Sequence, residues 1–141
     1  MLHRRVFSGQ PAYGLLATAV GKGSPGSKAL LESIEQDDPR PLWVCIWGGA
    51  NTLAQTLIDL RSTRSAAEVR AVIGRLRVYS ISDQDDAGPW IPREFPQLFY
   101  IVTPSSPNSD NYYSTTWTGI SGDIYYRNGE GADTSGRERV A

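Results

Sequence analysis

The chain has 141 residues, a formal net charge of −1 at pH 7 and 40% hydrophobic residues. This length predicts one domain, and the lack of a basic surplus argues against a polymeric nucleic acid as its partner, because phosphate contacts need many lysines and arginines. No apolar run reaches the ~18 residues of a transmembrane helix, so no membrane partner is predicted.

The first residues and the cysteine content give two further expectations. Basic residues follow Met1 without an apolar segment after them, so no signal peptide is predicted and no compartment or oligomeric state is indicated. Cys45 is the one cysteine, and it lies in an apolar stretch. An internal disulfide is therefore excluded, and we expect a buried, unreactive thiol.

The first part of the chain predicts loops followed by a helix. Two glycine-rich turns, at 6–14 and 21–26, indicate a surface segment over residues 1–23 that wraps around the domain. A helix is predicted over 27–36 with Ser27 as its cap, and the prolines that follow end it. Its apolar stripe consists of Leu30, Leu31 and Ile34.

An apolar run over 42–47 predicts a strand, and its continuous character favours burial on both faces, as in a parallel sheet. Two helices follow, each opened by a predicted capping box: Thr52 with Gln55, then Ser65 with Glu68. The residues predicted to face the core are Leu53, Ala54, Leu57 and Ile58 in the first helix and Ala66, Val69, Val72, Ile73 and Leu76 in the second.

Two further strands are predicted over 77–82 and 97–103, with a short helical turn over 90–96 between them. The order of strand, two helices, strand, turn and strand predicts parallel crossovers in an α/β fold. Polar turns at 48–52 and 83–88 then lie at the same edge of the sheet, where such folds bind ligands.

The last part of the chain shows weaker periodicity. Residues 105–111 predict a loop, and an aromatic, hydroxyl-rich stretch follows over 112–123. The polar and charged residues over 134–141 predict a disordered tail, so the domain itself is assigned to 1–133.

Three carboxylates, Asp83, Asp85 and Asp86, lie close together after the predicted second strand. Because like charges repel, their proximity favours a partner: either a hard cation such as calcium or magnesium or the hydroxyl groups of a polyol. A solvated acidic loop, in which Asp83 or Asp86 caps the next helix, fits the same residues. The spacing excludes an EF-hand loop, but it does not decide between a cation site, a polyol site and a solvated loop.

A glycine turn, Gly48-Gly49-Ala50-Asn51-Thr52, joins the first strand to its helix. Backbone N–H groups at such a helix start can bind an anion or a hydroxyl, and the glycines let a ligand approach closely. The alternative is a tight structural turn in which Asn51 or Thr52 caps the helix. The turn is neither a Walker A loop nor a GxGxxG fingerprint.

Aromatic side chains accompany both polar turns. Trp47 and Trp90 could stack on a sugar ring or a base, or they could simply cover the core. His3 is the only histidine, so neither a Ser-His-Asp triad nor a histidine-rich zinc site is expected. The remaining aromatic candidates are Tyr112, Tyr113 and Trp117.

Taken together, these motifs resemble a known family. They are Arg40-Pro-Leu-Trp-Val-x-x-Trp-Gly-Gly-Ala-Asn-Thr-Leu-Ala-Gln55, Leu76-Arg-Val-Tyr-Ser-Ile-Ser-Asp-Gln-Asp-Asp-Ala-Gly-Pro-Trp-Ile91, Phe95-Pro-x-Leu-Phe-Tyr-Ile101 and Thr116-Trp-Thr-Gly-Ile-Ser-Gly-Asp123. From about Val6 to Asp133 the chain resembles the nucleoside-hydrolase-like domain of cellulose-binding-type proteins. The resemblance implies a Rossmann-like layered α/β fold with a mostly parallel sheet, related to inosine–uridine nucleoside hydrolases.

The resemblance also implies a calcium-binding position in this chain and the absence of the main calcium-binding motif. In nucleoside hydrolases a similar turn lends a backbone carbonyl to calcium, and that position falls on Asn51 here. Their calcium and attacking water are held mainly by an aspartate motif, D-x-D-x-x-x-D-D, on the first strand, which this sequence lacks. The chain therefore resembles a domain that is incomplete at its N-terminal side, and its 134–141 tail departs from the family. A truncated or misassembled gene product is one expectation.

Three functions follow as expectations. The first is a glycosidic-bond hydrolase for a nucleoside or carbohydrate, with calcium in the full-length domain and no activity of this chain alone. The second is a non-catalytic carbohydrate (cellulose)-binding module, and the third is a non-functional fragment whose exposed sheet edge predicts poor solubility. The candidate substrate-binding residues are Asn51, Asp83, Asp85, Asp86, Trp90 and Trp47.

Overall fold

The computed structural model describes residues 5–102 of the chain. Predictions that concern His3, the loop and aromatic stretch after residue 104, the domain end at 133 and the tail 134–141 lie outside the described residues. So do the candidate aromatic residues Tyr112, Tyr113 and Trp117.

Three parallel strands form the sheet, in the order β1-β2-β3. They are β1 (Leu42–Ile46), β2 (Leu76–Ser80) and β3 (Phe99–Val102). Val44 is level with Val78 and Val78 with Tyr100, and both strand pairs are parallel. The predicted α/β class with a parallel sheet is confirmed, and the first strand ends one residue earlier than the sequence predicts.

Four α-helices connect the strands: α1 (Pro25–Ile34), α2 (Asn51–Thr63), α3 (Ala66–Arg75) and α4 (Ala87–Glu94). Together α2 and α3 form the crossover from β1 to β2, and α4 forms the crossover from β2 to β3. A 3-10 helical turn over Gly14–Ala17 precedes α1. Among the described residues, no helix is long and apolar enough to span a membrane.

Two of the predicted helix starts are wrong. In α1 the N-cap is Ser24, whose side chain accepts from the Ser27 N–H, because Pro25 occupies the first helical position that proline favours. In α2 the N-cap is Ala50 without a side-chain cap. Thr52 therefore lies inside that helix, and the capping box predicted for it does not form.

The remaining elements agree with the sequence in kind and differ at their ends. The Ser65 cap of α3 is confirmed, since its hydroxyl accepts from the Glu68 N–H at 3.3 Å. Leu76 begins β2 instead of ending α3, and Ala66 is exposed although it was expected to face the core. The helical turn predicted from Trp90 begins earlier, as α4, because side-chain acceptors outside the helix cap its start.

The core lies between one face of the sheet and the helices. Ile46, Leu76 and Val78 from the strands pack with Leu53, Leu57 and Leu60 of α2, and the α2 residues are at most 2% exposed. Burial of this apolar surface is the main term that stabilises the fold.

The opposite face of the sheet is exposed, which corrects the prediction of a strand buried on both faces. Trp43 is 53% exposed, and Cys45, two residues on, is exposed as well. Phe99, level with Trp43 across β2, is 47% exposed and packs edge-on against the Trp43 ring. Alternation along the strand, with one face in the core and one face out, is the reason that the Cys45 thiol is not buried as expected.

Replacing Leu57 with alanine tests the core. Leu57 is fully buried at the centre of α2, so Leu57→Ala is expected to lower the free energy of unfolding by about 2–5 kcal/mol. Leu16→Ala is the matched control, because Leu16 is 90% exposed and its replacement should leave stability nearly unchanged. Urea unfolding followed by circular dichroism measures both, and equal midpoints for the two variants would contradict this core.

Candidate functional site

The turns that follow β1 and β2, residues 47–50 and 81–86, lie side by side and form what we call the carboxyl edge. They are joined directly after the strands end, since the Ile81 N–H donates to the Ile46 carbonyl at 3.2 Å. Both polar turns predicted from the sequence therefore meet at one edge of the sheet, as parallel strands require.

Asp85 connects the two turns. Its Oδ1 accepts from the Ala50 N–H at 3.0 Å and its Oδ2 from the Asn51 N–H at 3.2 Å, both at the start of α2. Oδ1 also accepts from the N–H groups of Ala87 and Gly88, each at 3.2 Å, at the start of α4. With only 6% of its surface exposed, this carboxylate caps two helices at once, near the positive ends of both dipoles.

The Asp85 contacts correct two expectations about capping. The sequence indicated Asp83 or Asp86 as the cap of α4 and Asn51 or Thr52 as the cap of α2. Asp86 occupies the N-cap position of α4, but its side chain makes no cap hydrogen bond. The Asp85 carboxylate caps both helices instead, because it lies between the two helix starts and reaches their free N–H groups. The close approach explains Gly49, since a Cβ built there would overlap Asp85 Oδ2.

Asp83 and Gln84 carry polar atoms that are buried without a partner. Neither Oδ1 of Asp83 nor Nε2 of Gln84 makes a hydrogen bond. Burial, followed by the charge of Asp85, raises the pKa of the Asp83 carboxyl. Gly88 leaves room for this carboxylate, because a Cβ there would lie 2.6 Å from Asp83 Oδ1. Buried polar groups are normally paired, so a ligand that pairs with this acceptor and this donor would satisfy them.

Tyr100, on β3, adds a phenol to the polar side chains near the carboxyl edge. Burial raises the pKa of its phenol to about 12, the Ser80 hydroxyl opposes the shift, and the charges of Asp83 and Asp85 add to it. The Tyr100 hydroxyl makes no hydrogen bond of good geometry to a described residue, and Ser80 Oγ donates to the Ser82 carbonyl at 2.9 Å. Tyr100 therefore stays a neutral phenol near the Asp83 carboxyl at ordinary pH.

The N-terminal segment, residues 8–24, crosses the carboxyl edge. Asp86 Oδ1 accepts from the Leu15 N–H at 2.8 Å, so this carboxylate anchors the segment. Gly14 precedes that contact with a φ of 56°, and a Cβ on it would overlap the same oxygen. Glycine is required there both for the left-handed backbone and for the close approach.

Two more bonds attach the segment to the turns. Asn51 Nδ2 donates to the Ala12 carbonyl at 2.7 Å, and the Tyr13 hydroxyl donates to the Gln84 carbonyl at 3.0 Å. The candidate residues Asn51 and Asp86 thus hold backbone groups of this chain. The structure brings Asn51, Asp83, Asp85 and Asp86 together at the edge, as the sequence predicts, but their roles in binding a substrate stay a prediction.

Gln55 is a residue of this region whose role the sequence did not indicate correctly. It is 0% exposed, and its amide makes a reciprocal pair with Ala19: Oε1 accepts from the Ala19 N–H at 3.0 Å, and Nε2 donates to the Ala19 carbonyl at 2.8 Å. Its position gave no signal, because on the helical wheel Gln55 lies away from the apolar stripe of Leu53, Ala54 and Leu57. The side chain predicted to close a capping box instead fixes the N-terminal segment.

The two tryptophans lie apart. Trp47 follows β1 at the carboxyl edge and is 47% exposed. Trp90 is half-buried in α4, where its ring packs against Phe95 at 6.1 Å and under the Arg61 guanidinium at 5.9 Å. These neighbours belong to the ends of α4 and α2, so the Trp90 ring lies toward the other end of the sheet and covers the core.

The described residues do not fit a calcium ion. Within residues 5–102, no three His, Cys, Asp or Glu side chains come together to hold a metal. Asp85 and Asp86 accept from backbone N–H groups instead. The Asn51 carbonyl lies in the first turn of α2, where carbonyls point along the helix and accept from N–H groups further on.

Two comparisons with known proteins relate the chain to others. The family model described as cellulose-binding Sde182, nucleoside hydrolase-like domain, matches residues 1–139. The chain is also similar to a solved nucleoside hydrolase-related hypothetical protein from Saccharophagus degradans that is associated with carbohydrate metabolism, at 42% sequence identity and a TM-score of 0.66. That similarity covers 77% of this chain and 27% of the other, so this chain spans about a quarter of that protein's length. No curated protein matches.

Replacing Asp85 tests its structural role. Asp85→Ala leaves the N–H groups of Ala50, Asn51 and Ala87 without their acceptor, while the Gly88 N–H keeps the Asp85 carbonyl. We expect a loss of about 3 kcal/mol or more in the free energy of unfolding. The matched control is Asp37→Ala, since Asp37 is exposed and lies in the loop after α1. Urea denaturation of both variants measures the difference, and a wild-type midpoint for Asp85→Ala would exclude this capping role.

The raised pKa of Asp83 predicts a pH dependence of stability. A raised pKa means that the folded chain binds more protons than the unfolded chain, so the contribution of Asp83 becomes less favourable as pH rises from about 4. Asp83→Asn removes this pH-dependent loss of stability. The difference between the melting temperature of the variant and that of the wild type is therefore expected to increase from pH 3 to pH 7. Melting curves that keep a constant offset at every pH would contradict the shift.

Proposed function

The chain belongs to the family of the cellulose-binding Sde182 nucleoside hydrolase-like domain, and on that premise we propose that it binds the sugar ring of a nucleoside or carbohydrate at the carboxyl edge without cleaving it alone. The observation that carries the proposal is that two consecutive residues of the turn after β2 each carry a buried polar atom without a hydrogen-bond partner, Asp83 Oδ1 and Gln84 Nε2. A sugar hydroxyl donates and accepts, so the hydroxyls of a sugar would supply the donor that Asp83 Oδ1 lacks and the acceptor that Gln84 Nε2 lacks.

Trp47 supplies the apolar part of the proposed site. Its ring is 47% exposed at the end of β1, and it lines a cavity of about 240 Å³ together with Gly48 and Gly49. The exposed part of an aromatic ring can pack against a sugar ring, and we propose that contact for the exposed part of Trp47. Both unpaired atoms of Asp83 and Gln84 are shielded from solvent, so we expect the N-terminal segment to shift when a sugar binds.

Binding without cleavage follows from the number of available carboxylates. Hydrolysis of a glycosidic bond commonly uses two carboxyl groups that flank the bond. Among the described residues of the carboxyl edge, both oxygens of Asp85 accept from backbone N–H groups and Asp86 accepts from the Leu15 N–H through Oδ1. Asp83 is the acid there with a buried oxygen that lacks a partner, and one such group recognises a hydroxyl without supplying the flanking pair of carboxyl groups.

Hydrolysis of a glycosidic bond is the second candidate function, and the raised pKa of Asp83 favours it. A carboxyl group whose pKa is raised by burial is better suited than an ordinary one to protonate a leaving oxygen or nitrogen. The second carboxyl group, or a metal such as calcium, would have to come from residues other than those described. Hydrolysis therefore stays a proposal for a protein that contains more residues than those described. The association of the solved relative with carbohydrate metabolism is likewise a proposal for this chain, which spans 27% of that protein.

A binding experiment tests the proposal. The chain labelled with ¹⁵N is titrated with ribose, inosine and cellobiose, and amide shifts are expected at residues 47–50 and 83–88. Asp83→Ala and Trp47→Ala are each expected to weaken binding about tenfold, as loss of one charge-assisted hydrogen bond or one stacking contact predicts. Trp43→Ala is the matched control, since Trp43 is a similarly exposed tryptophan on the open sheet face.

Chromatography of the same mixtures separates binding from hydrolysis. Unchanged inosine and cellobiose are expected after prolonged incubation, whereas released base or glucose would replace the binding proposal with hydrolysis. A chain that neither binds these sugars nor melts cooperatively would support the interpretation as a non-functional fragment.

A further inference from the structure

A second concave surface lies at the other end of the sheet. It is formed where α2 ends, where α3 begins and where α4 gives way to β3, and its cavity measures about 350 Å³. This volume falls in the ~300–1,000 Å³ range of small-molecule sites. Because α2 runs antiparallel to β1, this surface is remote from Asp83 and the carboxyl edge. We call it the arginine cleft, after Arg61, Arg64 and Arg70.

The floor of the arginine cleft is apolar. Val69 and Ile73 of α3 and the Phe95 ring line it, and each is at most 9% exposed. Arg61 stacks over the Phe95 ring, with its guanidinium carbon 4.9 Å from the ring centroid. The stacked guanidinium is held against a flat apolar wall, which suits a planar ligand.

The rim of the arginine cleft is positively charged. Among the described residues that line it, three guanidinium groups accompany one carboxylate, that of Glu94. Arg61 pairs with Glu94 at 3.1 Å, and Arg64 pairs with Glu35 outside the cleft. Arg70 has no hydrogen bond or ion pair with any described residue. The cleft therefore combines an apolar floor with a guanidinium that lacks an anion.

From this combination we infer that the arginine cleft binds a small planar carboxylate, with the ring against Ile73 and the Arg61 guanidinium and the carboxylate on Arg70. Guanidinium and carboxylate pair through two parallel hydrogen bonds, and an apolar pocket with a few placed polar groups is the usual form of a small-molecule site. The inference concerns a second site, and it does not depend on the sugar-binding proposal.

Naphthalene-2-carboxylate is the probe, and naphthalene-2-methanol is its neutral counterpart. Each is titrated into the full ¹⁵N-labelled chain, and amide shifts are followed around Val69, Arg70 and Phe95. The carboxylate is expected to bind with a Kd on the order of 1 mM or tighter, as the affinity per atom of small ligands allows. The alcohol is expected to bind at least about tenfold more weakly, because it cannot form the charged pair with Arg70.

Two variants locate the ligand. Arg70→Gln should weaken carboxylate binding about tenfold and leave alcohol binding unchanged. Ala66→Trp should abolish binding of both probes by filling the cleft, and it should fold, since Ala66 is exposed at the first position of α3. Arg93→Gln is the matched control: Arg93 is an exposed arginine of α4 outside the cleft, and its replacement should change nothing.

The outcomes are distinct. Equal affinity of the alcohol and the carboxylate, or wild-type affinity in Arg70→Gln, would overturn the recognition of the anion. Undiminished binding in Ala66→Trp would overturn the location. Asp83→Ala should keep full affinity for the carboxylate, and Arg70→Gln should keep full affinity for sugars, so failure at one site is not mistaken for failure at the other.

Discussion

The carboxyl edge depends on a single buried carboxylate. Asp85 accepts from backbone N–H groups at the start of α2 and at the start of α4, and these helices follow different strands. The bonds fix the two turns relative to each other after the sheet ends. Gly49 is needed beside the carboxylate, because a larger residue would overlap it. The acidic cluster, which the sequence indicates as a ligand site, therefore has a structural role as well: it holds the two turns of the carboxyl edge together.

The neighbouring polar residues also bind backbone groups of this chain. Asp86 anchors the N-terminal segment through the Leu15 N–H, and Gln55 holds the segment further along through both atoms of its amide. Asp83 stands apart, since burial and the charge of Asp85 raise its pKa and its Oδ1 lacks a partner. A carboxylate oxygen that is bonded within the fold stabilises it, whereas a buried oxygen without a partner keeps its capacity for a ligand. This difference places the proposed sugar contact on Asp83.

The two faces of the sheet differ in burial, and the two ends of its strands differ in the charged residues around them. One face packs on four helices, while the other exposes Trp43 and Phe99. The carboxyl end gathers acids and amides, and the opposite end gathers arginines over an apolar floor. The separation follows from chain direction, since each crossover, formed by α2 with α3 and then by α4, carries the chain from the carboxyl end of one strand back to the start of the next.

Hydrophobic periodicity and residue order by themselves determined the α/β class, the three parallel strands, the Ser65 cap and the meeting of the two polar turns. These features follow from local patterns and from the direction of the chain. The tertiary structure decided which side chain caps which helix, because Asp85 is distant in sequence from the N–H groups of Ala50 and Asn51. It also decided that Cys45 and Trp43 are exposed, that Gln55 fastens a distant segment and that Trp90 points away from the carboxyl edge. An apolar run predicts a strand but not what covers each face, and a polar side chain shows its partner only when remote parts of the chain come together.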